Sequence, residues 1–138
     1  MSRILLDTNV LVYAVDKSSK YHHWSKKFFS DDKYDCFTTS KNLSEFLVTT
    51  TRGEEPFLTI QEALSDVKNF RAICTVLYPD SMSTDLYSEL CFQHQVKGLV
   101  IHDFEIASIG LSNQVNQIAT VNKKDFSKID ELTVVSPD

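Results

Sequence analysis

The sequence predicts an α/β protein, a three-layer α/β/α sandwich with a central, mainly parallel sheet. Short apolar runs of strand length alternate with stretches of helical periodicity, which is the pattern of parallel strands covered by helices. The length of 138 residues suits one domain, and an apolar content of 42% provides enough side chains for its core. We therefore expect residues 1–138 to form a single domain.

The first strand is predicted over residues 3–6 and ends at Asp7. Short polar side chains follow, of the kind that cap helices, and a helical pattern then begins. A second helix is expected over residues 21–30, because Trp24 and Phe28 lie four positions apart and share one face. The second helix is predicted to cover the sheet.

A second strand and two further helices are predicted next. The strand covers residues 36–39, and apolar residues then recur at helical spacing until Gly53. Glu45 lies within this helix but off its apolar stripe. The following helix begins with a capping box formed by Thr59 and Glu62.

The second half of the chain continues this alternation. Residues 99–101 form an apolar run of strand length that leads to Asp103, where a helix begins and its dipole would favour the carboxylate. The predicted elements of this half are, in order, a strand over 75–78, a helix over 83–95, the helix from 103, a strand over 117–121, a polar loop over 122–126 and a strand over 133–135.

The composition is that of an ordinary globular protein without a membrane segment. Charged residues make up 24% and aromatic residues 11% of the chain, so disorder is not expected. The apolar run before Asp7 covers only residues 4–6, which is too short for a signal peptide or a membrane span. We therefore expect a cytoplasmic protein.

The three cysteines, Cys36, Cys74 and Cys91, are widely separated and form no CxxC pair. This spacing favours neither a disulfide framework nor a zinc site. We expect all three to pack as small buried hydrophobic residues.

Four acidic residues that are far apart in the chain lie where a predicted strand gives way to a turn or helix: Asp7, Glu45, Asp103 and Asp125. Ligands of α/β proteins gather at the carboxyl ends of the strands, so these side chains are candidates for one site. Carboxylates that lie close together must take up protons or bind a cation, and oxygen ligands suit Mg²⁺, with Mn²⁺ as a substitute. Such an ion can activate water for attack on phosphorus, and the pattern therefore predicts phosphodiester hydrolysis.

Each acid taken alone has an ordinary alternative. A carboxylate after a strand is commonly a helix cap or a solvated turn residue. A net charge of -5 and a pI near 5.3 also argue against a nucleic-acid partner, because nucleic acids are negatively charged. However, four acids in one pocket would account for most of that charge, and a bound cation would reverse the local sign.

Four segments of the chain together resemble the signature segments of PIN-domain nucleases, in order and at similar spacing. The segments are ILLDTNVL over 4–11, LSEF over 43–46, HDFEIAS over 102–108 and TVNKKDF over 120–126. The resemblance extends over nearly the whole chain and is closest to the small prokaryotic VapC-type toxins. It implies the PIN fold, a Mg²⁺-dependent ribonuclease acting on structured RNA, a VapB-like antitoxin as partner, and a homodimer.

The resemblance also implies roles for individual residues. Asp7 and Asp103 match the metal ligands, Glu45 matches a helix glutamate that helps to hold metal-bound water, and Asp125 matches the last acid. Asn9, Thr120 and Asn122 look like residues that position these carboxylates. Apart from the resemblance, RNA phosphates could be contacted by Lys123, Lys124 and Arg52, although scattered basic residues are usually solvated surface. Asn122 is also a rival to Asp125 for the fourth position of the site.

The chain departs from the family pattern at Phe104 and Glu105, where PIN toxins commonly have small or aliphatic residues. An extra acid could crowd the site. We favour a Glu105 that points outward from the first helical turn.

Two other classes of function stay open. A noncatalytic PIN-like binding module would keep the fold with a silent site. An aspartate-dependent phosphatase is suggested by Asp7 after the first strand, but that chemistry generally uses a second acid two positions later, where this chain has Asn9.

Some aromatic and basic residues could also contact RNA. Trp24, Phe28 and Phe29 could stack on bases, but their helical spacing favours core or dimer packing. Lys17 and Lys20 are interpreted as solvated surface.

Overall fold

A five-stranded, entirely parallel sheet forms the centre of the computed structural model, which describes residues 1–137. The strand order across the sheet is β3-β2-β1-β4-β5. The strands are β1 (Ser2–Leu6), β2 (Tyr34–Thr39), β3 (Thr75–Leu77), β4 (Gln117–Ala119) and β5 (Thr133–Val135). The predicted α/β class with a parallel sheet is confirmed.

Helices connect and cover these strands. They are α1 (Thr8–Val15), α2 (His22–Ser30), α3 (Ser40–Thr51), α4 (Ile60–Ile73), α5 (Ser81–His94), α6 (Val100–Ser112) and α7 (Lys123–Phe126). The predicted capping box of α4 is present, since the Thr59 side chain accepts from the Glu62 N–H and the Glu62 carboxylate accepts from the Thr59 N–H. Within residues 1–137, no helix has the length and apolar character needed to cross a bilayer.

Alternation along β1 separates the core into two layers. Ile4 and Leu6 belong to a cluster with α1 to α4, whereas Leu5 belongs to a cluster with α5 to α7. All three side chains are fully buried. Because successive strand residues point to opposite faces, a buried strand with helices on both sides gives the three-layer sandwich.

The register of β1 sets the position of the site. β1 is the central strand, and Leu6 pairs with Ala119 of β4. The residues that follow these two, Asp7 and Thr120, therefore emerge side by side at the carboxyl edge of the sheet. The Asp7 N–H continues the ladder by donating to the Ala119 carbonyl at 3.1 Å.

The predicted run over 99–101 is not a strand. Gly98 has φ +72 and turns the chain, Leu99 is 83% exposed, and α6 already begins at Val100. The position beside β1 that such a strand could occupy is taken by β4. Asp103 therefore follows a turn and lies in the first turn of α6, so the expectation that it follows a strand is wrong.

Two further boundaries differ from the predictions. α5 begins at Ser81, ahead of the predicted 83, because Asp80 and Ser83 form a capping box that the sequence analysis did not identify. The polar loop predicted over 122–126 contains α7, whose Phe126 is fully buried in the second core cluster. Burial of this one ring fixes a helical turn in an otherwise polar segment.

The cysteines pack much as expected. Cys36 in β2 and Cys74 between α4 and β3 are buried, and Cys91 is half-buried. The Sγ atoms of Cys36 and Cys74 lie 2.7 Å apart as a thiol pair, a proximity that their separation in the chain does not reveal.

Candidate active site

An acidic pocket of about 270 Å³ lies beyond the carboxyl end of β1. Its lining residues are Asp7, Thr8, Asn9, Val12, Tyr13, Glu45, Thr49, Asp103 and Asn122. Three of the four predicted acids therefore meet here, brought by β1, α3 and α6. Asp125, the fourth, is not among the lining residues but is joined to them through Asn122.

Asp7 is the deepest of these acids and caps α1. Its backbone is extended (φ -71, ψ 161), and its Oδ1 atom accepts the Thr8 N–H at 2.9 Å. The side chain of Asp7 is almost completely buried. A carboxylate at a helix N-terminus is favoured by the helix dipole, so β1 and α1 fix this group in place together.

The second oxygen of Asp7 is held by two side chains. Oδ2 accepts from the Thr120 hydroxyl at 2.7 Å and from the Asn9 amide at 3.1 Å. Asn9 in turn accepts the Val121 N–H at 3.2 Å, which ties α1 to the segment after β4. Both predicted positioning residues thus contact Asp7, and their functional role stays a prediction.

Burial and hydrogen bonding act on Asp7 in opposite directions. Burial raises the pKa of the Asp7 carboxyl above its ordinary value, and this is the dominant effect. Hydrogen bonds from Thr120, Thr8, Asn9 and Asn42 lower it. The charged form of Asp7 therefore depends on these donors or on a cation.

Asn42 is a site residue that the sequence analysis missed. Its amide donates to Asp7 Oδ1 at 3.3 Å and to the Thr8 hydroxyl at 3.0 Å. Its oxygen accepts from the Thr39 hydroxyl at 2.6 Å, and Asn42 is fully buried. A usable signal was present, since Thr39 ends β2 and caps α3 by accepting the Asn42 N–H, and Asp7 likewise stands between a strand and the helix that it caps.

The pKa of the Asp103 carboxyl is strongly raised. Burial, followed by the charges of Asp7, Asp125 and Glu45, raises the pKa of Asp103 to about 7. The Asn122 amide opposes this rise by hydrogen bonding. When no cation is present, about half of the molecules therefore carry a protonated Asp103 near neutral pH.

Asn122 links the two acids of this side of the pocket. Its amide donates to Asp103 Oδ2 at 3.2 Å and to Asp125 Oδ2 at 3.1 Å. The contact with Asp125 spans three positions and is possible because α7 is helical. Asp125 also lies 3.9 Å from the Lys128 ammonium. The two rivals for the fourth position are therefore both present, with Asn122 on the pocket wall and Asp125 behind it.

Glu45 lies at the rim of the pocket, on the exposed side of α3. Burial and the charge of Asp7 raise the pKa of Glu45, whereas His102 and Lys41 lower it. Glu45 also borders a neighbouring cavity of about 310 Å³ that is lined by Lys41, Ser44 and His102. The carboxylate is thus accessible from two sides.

Glu105 lies outside the lining of the acidic pocket. Its carboxylate is 3.6 Å from the Lys41 ammonium, an ion pair that joins α6 to α3. The negative charge that Glu105 adds at this position is therefore offset by the positive charge of Lys41. The charge of Glu105 still raises the pKa of Glu45, so the expectation that Glu105 points away from the site stays a prediction.

The predicted phosphate contacts do not line the pocket. Lys123 and Lys124 are exposed in α7, and Arg52 is exposed at the end of α3. Their proposed contact with RNA stays a prediction.

The donor set of the pocket fits a hard cation. The lining offers carboxylate, amide and hydroxyl oxygens and contains no lysine, arginine, histidine or cysteine. Within residues 1–137, no three His, Cys, Asp or Glu side chains are drawn together closely enough to form a complete ligand group. Mg²⁺ usually takes one or two direct carboxylates and keeps several waters, so it does not require such a group.

The parallel sheet and the acidic pocket at its carboxyl edge define an α/β domain of the PIN type. The PIN domain family matches residues 4–132, and the chain belongs to this family. The membership implied by the four sequence segments is therefore confirmed. No curated protein matches the chain in sequence.

Solved structures with the same fold come from toxin–antitoxin systems. VapBC2 from Rickettsia felis, bound to a promoter DNA fragment, is 21% identical with a TM-score of 0.73, over 99% of both chains. DNA-bound VapBC from Salmonella typhimurium is 19% identical with a TM-score of 0.72, over 99% of this chain and 98% of the other. VapC20 from Mycobacterium tuberculosis, described as a sarcin-ricin loop cleaving toxin, is 10% identical with a TM-score of 0.71, over 91% of this chain and 94% of the other. At these identities the likeness shows the fold.

Proposed function

We propose that the protein is a Mg²⁺-dependent endoribonuclease and the toxin of a VapBC-type toxin–antitoxin pair. The observation that carries this proposal is the convergence of Asp7, Glu45 and Asp103 in one oxygen-lined pocket, where burial and the charges of the neighbouring acids raise the pKa of Asp103 to about 7. Such a pocket is poised to exchange protons for a divalent cation.

Asp7 and Asp103 would hold Mg²⁺, or Mn²⁺ in its place, with Glu45 and Asp125 acting directly or through water. When bound, the ion supplies Lewis acidity that activates water and neutralises charge on the phosphate. The hydrogen bonds from Thr120 and Asn9 keep Asp7 in one orientation, and the Asn122 amide does the same for Asp103.

Glu45 is the acid best placed to move a proton. It lies at the rim, its raised pKa brings it closer to neutral pH, and it is open to solvent on the side of Lys41 and His102. A carboxylate with these properties can accept a proton from an attacking water and release it to solvent.

The relatives support the proposed partners. Structures of the same fold include VapBC assemblies, and VapC20 is described as cleaving the sarcin-ricin loop. We propose by analogy an RNA substrate and a VapB-like antitoxin for this chain. The homodimer implied by the resemblance would appear as a doubled mass in solution.

The phosphatase alternative has little support in the geometry. Both oxygens of Asp7 accept hydrogen bonds, and Asp7 is almost completely buried. The residue two positions later is Asn9, whose amide donates to Asp7 and cannot act as an acid. A nucleophilic Asp7 would have to abandon these contacts.

The test is cleavage of total cellular RNA by the purified protein in Mg²⁺. We expect cleavage that EDTA stops and that Asp7→Asn and Asp103→Asn each reduce by about a hundredfold or more. Asp85→Asn, which removes an exposed acid on α5, is the matched control. Cleavage that persists in both pocket variants would refute the proposal. The absence of both cleavage and Asp7-dependent Mg²⁺ binding would favour the noncatalytic module.

A further inference from the structure

A second cavity, of about 600 Å³, lies beside α2 and combines basic and aromatic side chains. Its lining residues are Lys20, Tyr21, His23, Trp24, Lys27 and Pro137. None of these lining residues within 1–137 is acidic, although the chain as a whole has a net charge of -5. We call this the α2 cavity. Its chemistry is opposite to that of the acidic pocket.

The two lysines of the α2 cavity are available to an anionic ligand. Lys20 and Lys27 are both exposed, and neither forms an ion pair with any residue in 1–137. The Lys20 ammonium lies 5.0 Å from the centre of the Tyr21 ring, and the Lys27 ammonium lies 5.7 Å from that of Phe28. The aromatic rings thus hold the two charges at the cavity without neutralising them.

Trp24 is positioned by the core but is not part of it. Its ring packs edge-on against Phe28, with centroids 5.0 Å apart and an interplanar angle of 86°. Phe28 is buried, and Phe29 packs on Phe70, as the helical spacing predicted. Trp24, by contrast, is half-buried and lines the cavity. Packing therefore orients the indole, and part of it stays available for contact.

A pair of tyrosines connects the α2 cavity to the acidic pocket. Tyr13 lines the pocket and Tyr21 lines the cavity, and their ring centroids are 5.3 Å apart. The Nδ1 atom of His22 lies 2.8 Å from the Tyr13 carbonyl oxygen. This contact ties α2 to α1, so the two concave surfaces are fixed relative to each other.

We propose that the α2 cavity binds a single-stranded segment of the RNA substrate, a few nucleotides from the phosphate that is cut. Lys20 and Lys27 contact backbone phosphates, and Trp24 and Tyr21 stack on bases. Paired lysines and aromatic rings are the means by which proteins bind single strands with little sequence preference. The inference depends on the proposed function, since it gives the substrate of the acidic pocket a second place of contact.

Trp24 provides a direct probe, because it is the single tryptophan of the chain. The experiment uses the Asp7→Asn variant in EDTA, so that no cleavage occurs, and a fluorescein-labelled mixed-sequence RNA of about 12 nucleotides. Intrinsic tryptophan fluorescence and RNA anisotropy are followed in the same titration. We expect saturable quenching of Trp24 with the same Kd as the anisotropy change, because a base stacks on the indole.

Variants of the two lysines test the phosphate contacts. Lys20→Ala with Lys27→Ala is expected to weaken RNA binding by about tenfold or more. The slope of log Kd against log salt should fall by about 1.4, since each single-strand phosphate contact contributes roughly 0.7. Lys68→Ala with Lys97→Ala removes the same charge from exposed positions elsewhere and should leave both quantities unchanged.

The outcomes are distinct. RNA that binds without a change in Trp24 fluorescence, or no RNA binding at all, would overturn the proposal. Tighter binding of poly-glutamate than of RNA would also overturn it and would indicate an acidic protein segment as the occupant. Trp24→Leu should also weaken RNA binding, and if this variant fails to fold, the lysine variants still decide. Quenching by RNA in a protein that cuts no RNA would refute the proposed chemistry and support this binding site.

Discussion

Thr120 donates a 2.7 Å hydrogen bond to Oδ2 of Asp7, across 113 positions of the chain. The two residues meet because β1 and β4 are parallel neighbours and Leu6 pairs with Ala119. Of the hydrogen bonds to Asp7, the one from Thr120 does most to lower the pKa that burial raises. This hydroxyl therefore favours the charged form that a cation would bind.

We predict that Thr120→Val lowers the cleavage rate and shifts its acidic limb to higher pH. Loss of the donor leaves the buried carboxylate less stable, and a hydrogen bond to a charged group contributes about 1.5–3 kcal/mol, which corresponds to roughly a tenfold to hundredfold change. A pH–rate profile measures both effects. Thr120→Ser keeps the hydroxyl, so its cleavage rate and acidic limb should match those of the parent. Thr133→Val is a control at an exposed strand position. A Val variant with the parent profile would show that Thr120 is only structural.

Much of the fold could be predicted from the sequence because it depends on local patterns. Apolar runs marked β1 and β2, and the capping box at Thr59 marked the start of α4. The order of strands in the sheet depends on pairing between distant segments, which periodicity does not encode. The strand predicted over 99–101 is wrong for this reason, since Leu99 is exposed and Val100 and Ile101 belong to a helix that starts after Gly98.

The candidate site was predictable in its acids and less so in their partners. Each of the four carboxylates has a local context, such as the position of Asp7 between a strand and a helix. Asn42 and the bridge from Asn122 to Asp125 depend on where side chains point after the elements have packed. The Tyr13–Tyr21 pair likewise depends on the packing of α2 against α1. Such contacts arise from tertiary structure.

Gly110 is predicted to be the most sensitive small residue of α6. A Cβ atom there would lie 3.0 Å from Leu5 Cδ2 and 3.2 Å from the Val115 carbonyl oxygen. Gly110→Ala should therefore lower the free energy of unfolding by about 1–3 kcal/mol, despite the higher helix propensity of alanine. Urea denaturation measures this, with Ser88→Ala on the exposed side of α5 as control. An alanine variant as stable as the parent would mean that α6 and β1 can move apart at no cost in stability.

The metal-free protein is predicted to lose stability as the pH rises towards 7 and beyond. The pKa of Asp103 is raised from 3.8 to about 7, so between these values the folded chain binds more protons than the unfolded chain. Stability from this group is complete below about pH 4 and is lost as the pH passes through 7. The raised pKa values of Asp7 and Glu45 act in the same direction.

Asp103→Asn tests the origin of this pH dependence. In EDTA near pH 8 the variant should be more stable than the parent by about 1–2 kcal/mol, since Asp103 is only partly buried and solvent screens part of the repulsion. The difference should vanish near pH 4. Denaturant unfolding at the two pH values measures it, with Asp85→Asn as the exposed control. A variant that is less stable at pH 8 would contradict burial and repulsion of the charged Asp103 carboxylate as the cause.

Mg²⁺ is predicted to stabilise the parent protein and to reverse this pH dependence. A cation bound only by the folded state at a hundredfold excess over its Kd adds about 2.7 kcal/mol. Thermal unfolding with and without Mg²⁺ should show a higher Tm for the parent and no shift for Asp7→Asn or Asp103→Asn. Calorimetric titration gives the number of ions. Equal shifts in the parent and both variants would indicate binding elsewhere on this acidic chain.

Asn122→Ala and Asp125→Asn are predicted to move the pKa of Asp103 in opposite directions. Asn122 lowers that pKa by hydrogen bonding, whereas the charge of Asp125 raises it. Loss of the amide should therefore raise the pKa of Asp103 further, and loss of the Asp125 charge should lower it. Carboxyl chemical shifts across a pH titration of the metal-free protein measure both. If cleavage falls more in Asn122→Ala than in Asp125→Asn, the fourth position of the site belongs to the amide on the pocket wall. The reverse order would assign that position to Asp125, acting from behind the wall or through water.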